Sequence, residues 1–233
     1  MNYSKICKAK FIKRPNRFIA HVHLNGQEEI VHVKNTGRCR EILREGTTVI
    51  LEKASNKNRK TAYSLIAAYK NELLINIDSQ VPNQVIFEAL EEGDIKGLEN
   101  LIEIKREVSY ANSRFDIYFE DINRKGFIEV KGVTLEDRGS TMFPDAPTVR
   151  GSKHLNEMIK AVKEGYAGYI IFLIQLKGAE EFTPNYKTDP EFAKNLKLAE
   201  ESGVKLLAYD CLVTEDSITL NKEVPIIPAE LQD

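Results

Sequence analysis

Cysteine is scarce in this chain. Its three copies, Cys7, Cys39 and Cys211, form no CxxC pair and stand at no zinc-ligand spacing to the four histidines. That excludes a disulfide scaffold and a zinc module, and predicts reduced thiols in core or edge positions. Long apolar runs are missing as well. The longest, Tyr169 to Leu176, contains Gln175; it falls far short of the roughly 20 residues that cross a bilayer and suits a buried strand. The opening Met1-Asn2-Tyr3-Ser4-Lys5 has neither the apolar core nor the small-residue cleavage site of an export signal, so the expected location is the cytoplasm, with no membrane contact. A glycine-rich nucleotide loop is absent. No internal repeat or low-complexity tract occurs.

Aspartate is missing from the first 70 residues. That segment carries 15 Lys and Arg against 5 Glu, a net of +10, whereas the remainder carries 18 against 30, a net of −12. The overall charge of −2 conceals this division. Positive charge gathered in one segment predicts a surface that meets a polyanion, driven by phosphate neutralisation and counterion release. A basic face that serves solubility alone is the bland alternative. With 42% hydrophobic residues in 233 positions, the chain has enough apolar surface for one large folded domain or two modest ones.

The periodicity predicts two units, residues 1–80 and 81–233. In the first, five short β-like runs (18–24, 29–33, 48–52, 63–69 and 73–77) are separated by turn residues, with Asn25-Gly26 a strong hairpin signal. Five strands in so short a span predict a small OB-like β-barrel, a common nucleic-acid platform. Arg14, Arg17, Arg38, Arg40, Lys57, Arg59 and Lys60 place cations on its loops, whereas Phe18 opens an apolar strand and is expected in the core. The second unit reads as a helix over 84–92 and strands over 102–110, 115–119 and 126–133. A helix over 153–164 capped by Ser152, a buried strand over 169–176, a helix from Asp189-Pro190 to Glu201 and a strand over 204–211 follow. A β-meander followed by alternating helices and strands predicts an α/β (α+β) domain with a mixed sheet flanked by helices.

Two segments of the meander carry chemistry: Ser113-Arg114-Phe115-Asp116 and Ile128-Glu129-Val130-Lys131. Alternate residues of a strand share a face, so Glu129 and Lys131 project together while Ile128 and Val130 enter the core. Hairpin pairing would set Asp116 beside Glu129. Two carboxylates plus waters suit Mg2+ or Mn2+, and such a cation neutralises charge on a phosphodiester and acidifies water. Lys131 would orient the water, stabilise negative charge or transfer a proton; the spacing does not choose among these. A solvated hairpin face with an ordinary Glu/Lys pair is the alternative. Glu88 is either a third carboxylate or an exposed helix residue. Arg150, Lys153 and His154 gather where a helix N-terminus favours phosphate, although His154 also fits as a packed residue. The segment 141–149, with Phe143-Pro144-Asp145-Ala146-Pro147, is too apolar for a linker and reads as a lid or wall over the metal.

The ordered motifs Asn35-Thr36-Gly37, Glu107-Val108, Ser113-Arg114-Phe115-Asp116, Glu129-Val130-Lys131, Thr134-Leu135, Phe143-Pro144-Asp145-Ala146, Arg150-Gly151 and Lys153-His154-Leu155 resemble those of the sugar fermentation stimulation protein A (SfsA) family nearly from end to end. The resemblance implies an N-terminal OB-like domain and a C-terminal domain similar to PD-(D/E)XK nucleases. It implies Asp116 and Glu129 as metal ligands, the backbone carbonyl of Val130 as a further ligand and Lys131 as the catalytic lysine, with Glu88 in the position of a helix glutamate. The implied activity is metal-dependent cleavage of DNA or RNA held on the basic first domain. A DNA-binding regulator of sugar-utilisation genes, without cleavage, is the competing reading. Oligomeric state is open, a homodimer included.

Overall fold

The computed structural model describes residues 1–228 except Thr36, Lys57 and Asn112; the expectations attached to Thr36 and Lys57 fall outside the described residues. The N-terminal unit is built from β1 (Ile6–Asn16), β2 (Ile19–Leu24), β3 (Gln27–Val33), β4 (Thr48–Lys53), β5 (Tyr63–Lys70) and β6 (Leu73–Asn76) in the order β3-β2-β1-β4-β5-β6, with β3 also pairing to β5. That last pairing closes five strands into a barrel and leaves β6 as an appendage on β5. The ring therefore has the expected number of strands but a different membership: β1 belongs to it and β6 does not. Strand β1 serves two neighbours, β4 over Ile6–Lys10 and β2 from Lys10 to Asn16, and only Ala9 and Phe11 of it are buried. Asn25 and Gly26 both take positive φ, 51° and 85°, as a two-residue hairpin of the twisted type requires.

The second unit carries α1 (Pro82–Glu92), β7 (Glu103–Tyr110), β8 (Ser113–Glu120), β9 (Lys125–Val133), β10 (Leu135–Asp137), β11 (Ser140–Phe143), α2 (Val149–Lys163), β12 (Ala167–Ile174), β13 (Glu181–Pro184), α3 (Pro190–Glu201), β14 (Lys205–Val213) and β15 (Ile218–Glu223). Six strands form a mixed sheet in the order β15-β14-β12-β9-β8-β7, in which β9, β12 and β14 are parallel. Strands β10, β11 and β13 form a smaller sheet. Helix α1 covers one face of the large sheet through Val85, Ile86 and Ala89 against Ile117, Ile128 and Val130. Leu155, Met158 and Ile159 of α2, with Phe192 and Leu196 of α3, cover the other. Strand β12 is central and buried on both faces, as its near-continuous apolar run demands.

The barrel joins the second unit through packing. Ile50, Ile66 and Ala67 share one apolar cluster with Val81, Val85 and Ile86 of the α1 region. Gln175, just past β12, is buried and donates to Asn76 Oδ1 at 2.9 Å and to the Asp78 carbonyl at 3.1 Å. Gly126 shows how tightly β9 meets β12: a Cβ there would lie 2.1 Å from the carbonyl oxygen of Ala167.

Helix α2 starts four residues earlier than the sequence suggests. Ser152 is inside the helix; the cap is Thr148, whose Oγ1 accepts from the Gly151 N–H at 3.0 Å. Asp189 links this helix to α3, accepting from Thr148 N–H at 2.7 Å and capping Phe192 N–H at 2.9 Å. Burial and main-chain connections to α3 make Thr148, not Ser152, the usable cap.

Candidate functional site

The hairpin of β8 and β9 places the two acids together. Its main-chain register runs from Glu120 opposite Lys125 to Ile117 opposite Ile128. Beyond that pair, the N–H of Val130 is donated at 2.8 Å to Oδ2 of Asp116. The other oxygen of Asp116 accepts from Asn83 Nδ2 of α1, also at 2.8 Å. Asp116 is thus fixed between a strand backbone and the first turn of a helix. Burial, reinforced by the negative charge of Glu129, pushes its carboxyl up to about 6 despite these hydrogen bonds and Lys131.

Glu129 is 2% exposed on the sheet face opposite Ile128 and Val130. Its Oε1 receives the Lys131 ammonium at 2.5 Å and the Nδ1 of His154 from α2. Burial lifts the Glu129 carboxyl, but Lys131 first and then His154 outweigh it and hold the group below the usual glutamate range. Its second oxygen, Oε2, is buried and has no hydrogen-bond partner. A buried carboxylate oxygen with no donor costs several kcal/mol in principle, which a hard cation at this point would offset. Among the described residues, no three His, Cys, Asp and Glu side chains converge as metal ligands. The donor set present is two carboxylates from neighbouring strands, which fits a hard divalent cation completed by further oxygen donors.

His154 is buried and not the phosphate contact expected from its helix position. Its Nε2 faces Arg150 Nε at 3.4 Å. A donor on that side makes Nε2 the acceptor and leaves the proton on Nδ1, directed at Glu129. Arg150 and Lys153 are exposed on the first turn of α2. Glu88 is engaged elsewhere: Oε2 pairs with the amino group of Met1 at 2.7 Å and Oε1 accepts from Gln84 at 2.6 Å. The group that α1 lends to Asp116 is Asn83, a residue with no sequence signal beyond its place one residue after Pro82.

The basic residues of the barrel divide by role. Arg14 is a clamp: its guanidinium donates to the carbonyls of Gly37 at 2.8 Å, Arg38 at 3.0 Å, Arg17 at 2.8 Å and Asn35 at 2.5 Å. Arg59 is half-buried and donates to Ser64 Oγ at 3.1 Å, while Lys60 is exposed. Arg17, Arg38 and Arg40 are exposed and line a cleft of about 670 Å³ between the barrel and the 143–148 segment. That segment is tied to the barrel, Asp145 accepting from the Arg38 N–H at 2.8 Å, so it is a fixed wall of this cleft. Phe18 is 51% exposed at the β1–β2 turn, contrary to its expected place in the core. A separate apolar cavity of about 340 Å³ between α3, β14 and Val224–Pro228 contains none of these groups. No helix among the described residues is long and apolar enough to cross a membrane.

A closed five-stranded OB barrel followed by a mixed-sheet domain, with paired acids on adjoining strands, defines a two-domain architecture that known proteins share. The family model described as the SfsA N-terminal OB domain matches residues 12–77, and that described as the sugar fermentation stimulation protein RE domain matches residues 80–217. The chain belongs to the SfsA family. It is 53% identical over 231 residues to a sugar fermentation stimulation protein homolog of Alkaliphilus oremlandii, covering 97% of this chain and 98% of the relative. It is 56% identical over 222 residues to one of Clostridium botulinum, covering 95% and 96%. The solved structure of Pyrococcus furiosus SfsA in complex with Ca2+ superimposes with a TM-score of 0.89 at 29% identity, covering 97% of this chain and 98% of that one.

Proposed function

We propose that this protein is a divalent-metal-dependent nuclease, with the barrel holding nucleic acid and the β8–β9 hairpin hydrolysing phosphodiester bonds. The observation that carries the reading is the buried, partnerless Oε2 of Glu129 beside an Asp116 carboxyl whose pKa is raised by burial and then by the charge of Glu129. Asp116, Glu129 and the backbone carbonyl of Val130 would hold Mg2+ or Mn2+. When bound, the cation supplies charge neutralisation at the phosphate and lowers the pKa of a coordinated water. The Ca2+ in the Pyrococcus relative supports a divalent site of this hard-oxygen kind.

The remaining chemistry belongs to the chain. Lys131 Nζ, anchored on Glu129 Oε1 at 2.5 Å, is held beside the acids, where it orients a water or stabilises developing negative charge. His154 fixes the same oxygen from the other side, so that Glu129 presents Oε2. Asn83 and the Val130 N–H fix Asp116 in the same way. Such orientation of ligands by surrounding hydrogen bonds is what gives a metal site its affinity.

The deciding experiment incubates wild type and Lys131→Ala with labelled single- and double-stranded DNA and RNA, in Mg2+, Mn2+ or EDTA. Cleavage by wild type that is lost with both the chelator and the variant is the expected result. Cleavage of equal rate by the variant would assign the activity elsewhere. Binding without turnover in either metal would favour a DNA-binding regulator.

A further inference from the structure

The cleft between the barrel and the 143–148 segment has walls of different chemistry. Its barrel wall presents Arg17, Arg38 and Arg40. Among the described residues, no carboxylate pairs with any of these three side chains, although elsewhere on the surface Lys8, Lys96, Lys105 and Arg114 each have one. Arg14, beneath them, spends its guanidinium on four carbonyls and so shapes the loop that displays Arg38. The opposite wall is the apolar Pro144, Ala146 and Pro147, held in place by Asp145 on the Arg38 N–H. Phe143 adds an aromatic ring to the lining, and Phe18, the residue after Arg17, is half exposed.

This cleft adjoins the strand and the helix that carry the site residues. It shares Gly37, Phe143 and Asp145 with a smaller polar cavity of about 180 Å³, whose far wall includes Gly132, the residue after Lys131 on β9. On its other side it reaches Thr148, the cap of the helix that carries Arg150 and His154. His154 stands six positions beyond Thr148, a helical rise of about 9 Å.

We propose that this cleft is the track for a single nucleic-acid strand, and that single strands, not duplexes, are the substrate class of the site. The proposal rests on the nuclease reading for where the strand ends, and on the cleft alone for what enters it. About 670 Å³ is room inside the cleft for one small ligand on the scale of one or two nucleotides. Cations on one wall with apolar residues and the Phe143 ring opposite match the way single strands are held, phosphates on arginine and bases on hydrophobic faces. A duplex keeps its bases stacked inside and offers this arrangement only its phosphates.

The test is direct binding in EDTA, where no metal-dependent cut occurs, by fluorescence anisotropy of a labelled oligonucleotide alone and annealed to its complement. Wild type should bind the single strand at least tenfold more tightly than the duplex. Combined Arg17→Gln, Arg38→Gln and Arg40→Gln should lower the slope of log affinity against log salt by about 2, from roughly 0.7 per phosphate contact for single strands. The corresponding triple lysine variant should keep the wild-type slope, and Phe18→Ala should weaken binding about tenfold without changing the slope. Equal affinity for duplex and single strand, or a glutamine triple variant that melts like wild type and binds with an unchanged slope, overturns the proposal. These outcomes are independent of Lys131, so failure of the cleft and failure of the hydrolytic site are read separately.

Discussion

Replacing Asp116 by asparagine should make the metal-free protein more stable while destroying its capacity for the cation. The carboxyl is pushed from its ordinary 3.8 to about 6, chiefly by burial and then by Glu129. A raised acid pKa means that the folded state binds the proton more tightly than the unfolded chain does. Stability therefore falls as pH climbs from about 4 to about 6, and the full penalty is present above that. A shift of about two pKa units corresponds to roughly 3 kcal/mol at pH 8. Asparagine removes the charge, keeps an acceptor for the Val130 N–H, and donates to Asn83 once the Asn83 amide flips to present its oxygen. With an unfolding entropy of about 2.1 cal/mol/K per residue, a chain of this length should gain up to about 6 °C in Tm. Differential scanning calorimetry at pH 8 in EDTA should show that gain, and the difference should vanish toward pH 4. Saturating Mn2+ at about 100 times Kd should then raise wild type by roughly 2.7 kcal/mol and leave the variant where it was. A variant that melts below wild type in EDTA, or gains as much from Mn2+, would refute the reasoning.

Three further outcomes follow from the same contacts. His154→Ala removes the donor that fixes Glu129 Oε1 and should weaken Mn2+ binding by about 10- to 100-fold in isothermal titration, with His154→Gln partly restoring it. Arg14→Ala strips four carbonyls of their donor and should cost roughly 3 kcal/mol or more in urea unfolding, whereas Arg17→Ala, on the open surface, should leave the midpoint unchanged. Gly126→Ala forces a Cβ to within 2.1 Å of the Ala167 carbonyl oxygen and should destabilise the central β9–β12 pair by about 1–3 kcal/mol or more, measured the same way.

The hairpin, its register and the facing of Glu129 with Lys131 were legible because a strand alternates strictly and β9 obeys it: Ile128 and Val130 join the α1-side cluster and Glu129 meets α2. Strand β1 was not legible. Its outward Lys8, Lys10 and Lys13 interrupt any apolar run, its buried residues are only Ala9 and Phe11, and Pro15 is tolerated because that end lies beyond the pairing with β4. The short strands β10, β11 and β13 carry three or four residues each, too few for a period to register. Composition identified the basic end but could not separate Arg14, which works inward, from Arg17, Arg38 and Arg40, which work outward. Phe18 was misplaced because a turn residue before an apolar run looks like the first member of that run. Asn83 and the orphaned Glu129 Oε2 depend on how α1 and α2 meet the sheet, a tertiary fact with no local signature.

The most direct test of the central claim is a crystal of this protein soaked in Mn2+ and measured for anomalous scattering. One peak bridging a carboxylate oxygen of Asp116 and Oε2 of Glu129, absent from crystals of Glu129→Gln, is the predicted result. A peak elsewhere only, or one that survives the substitution unchanged, would contradict the account.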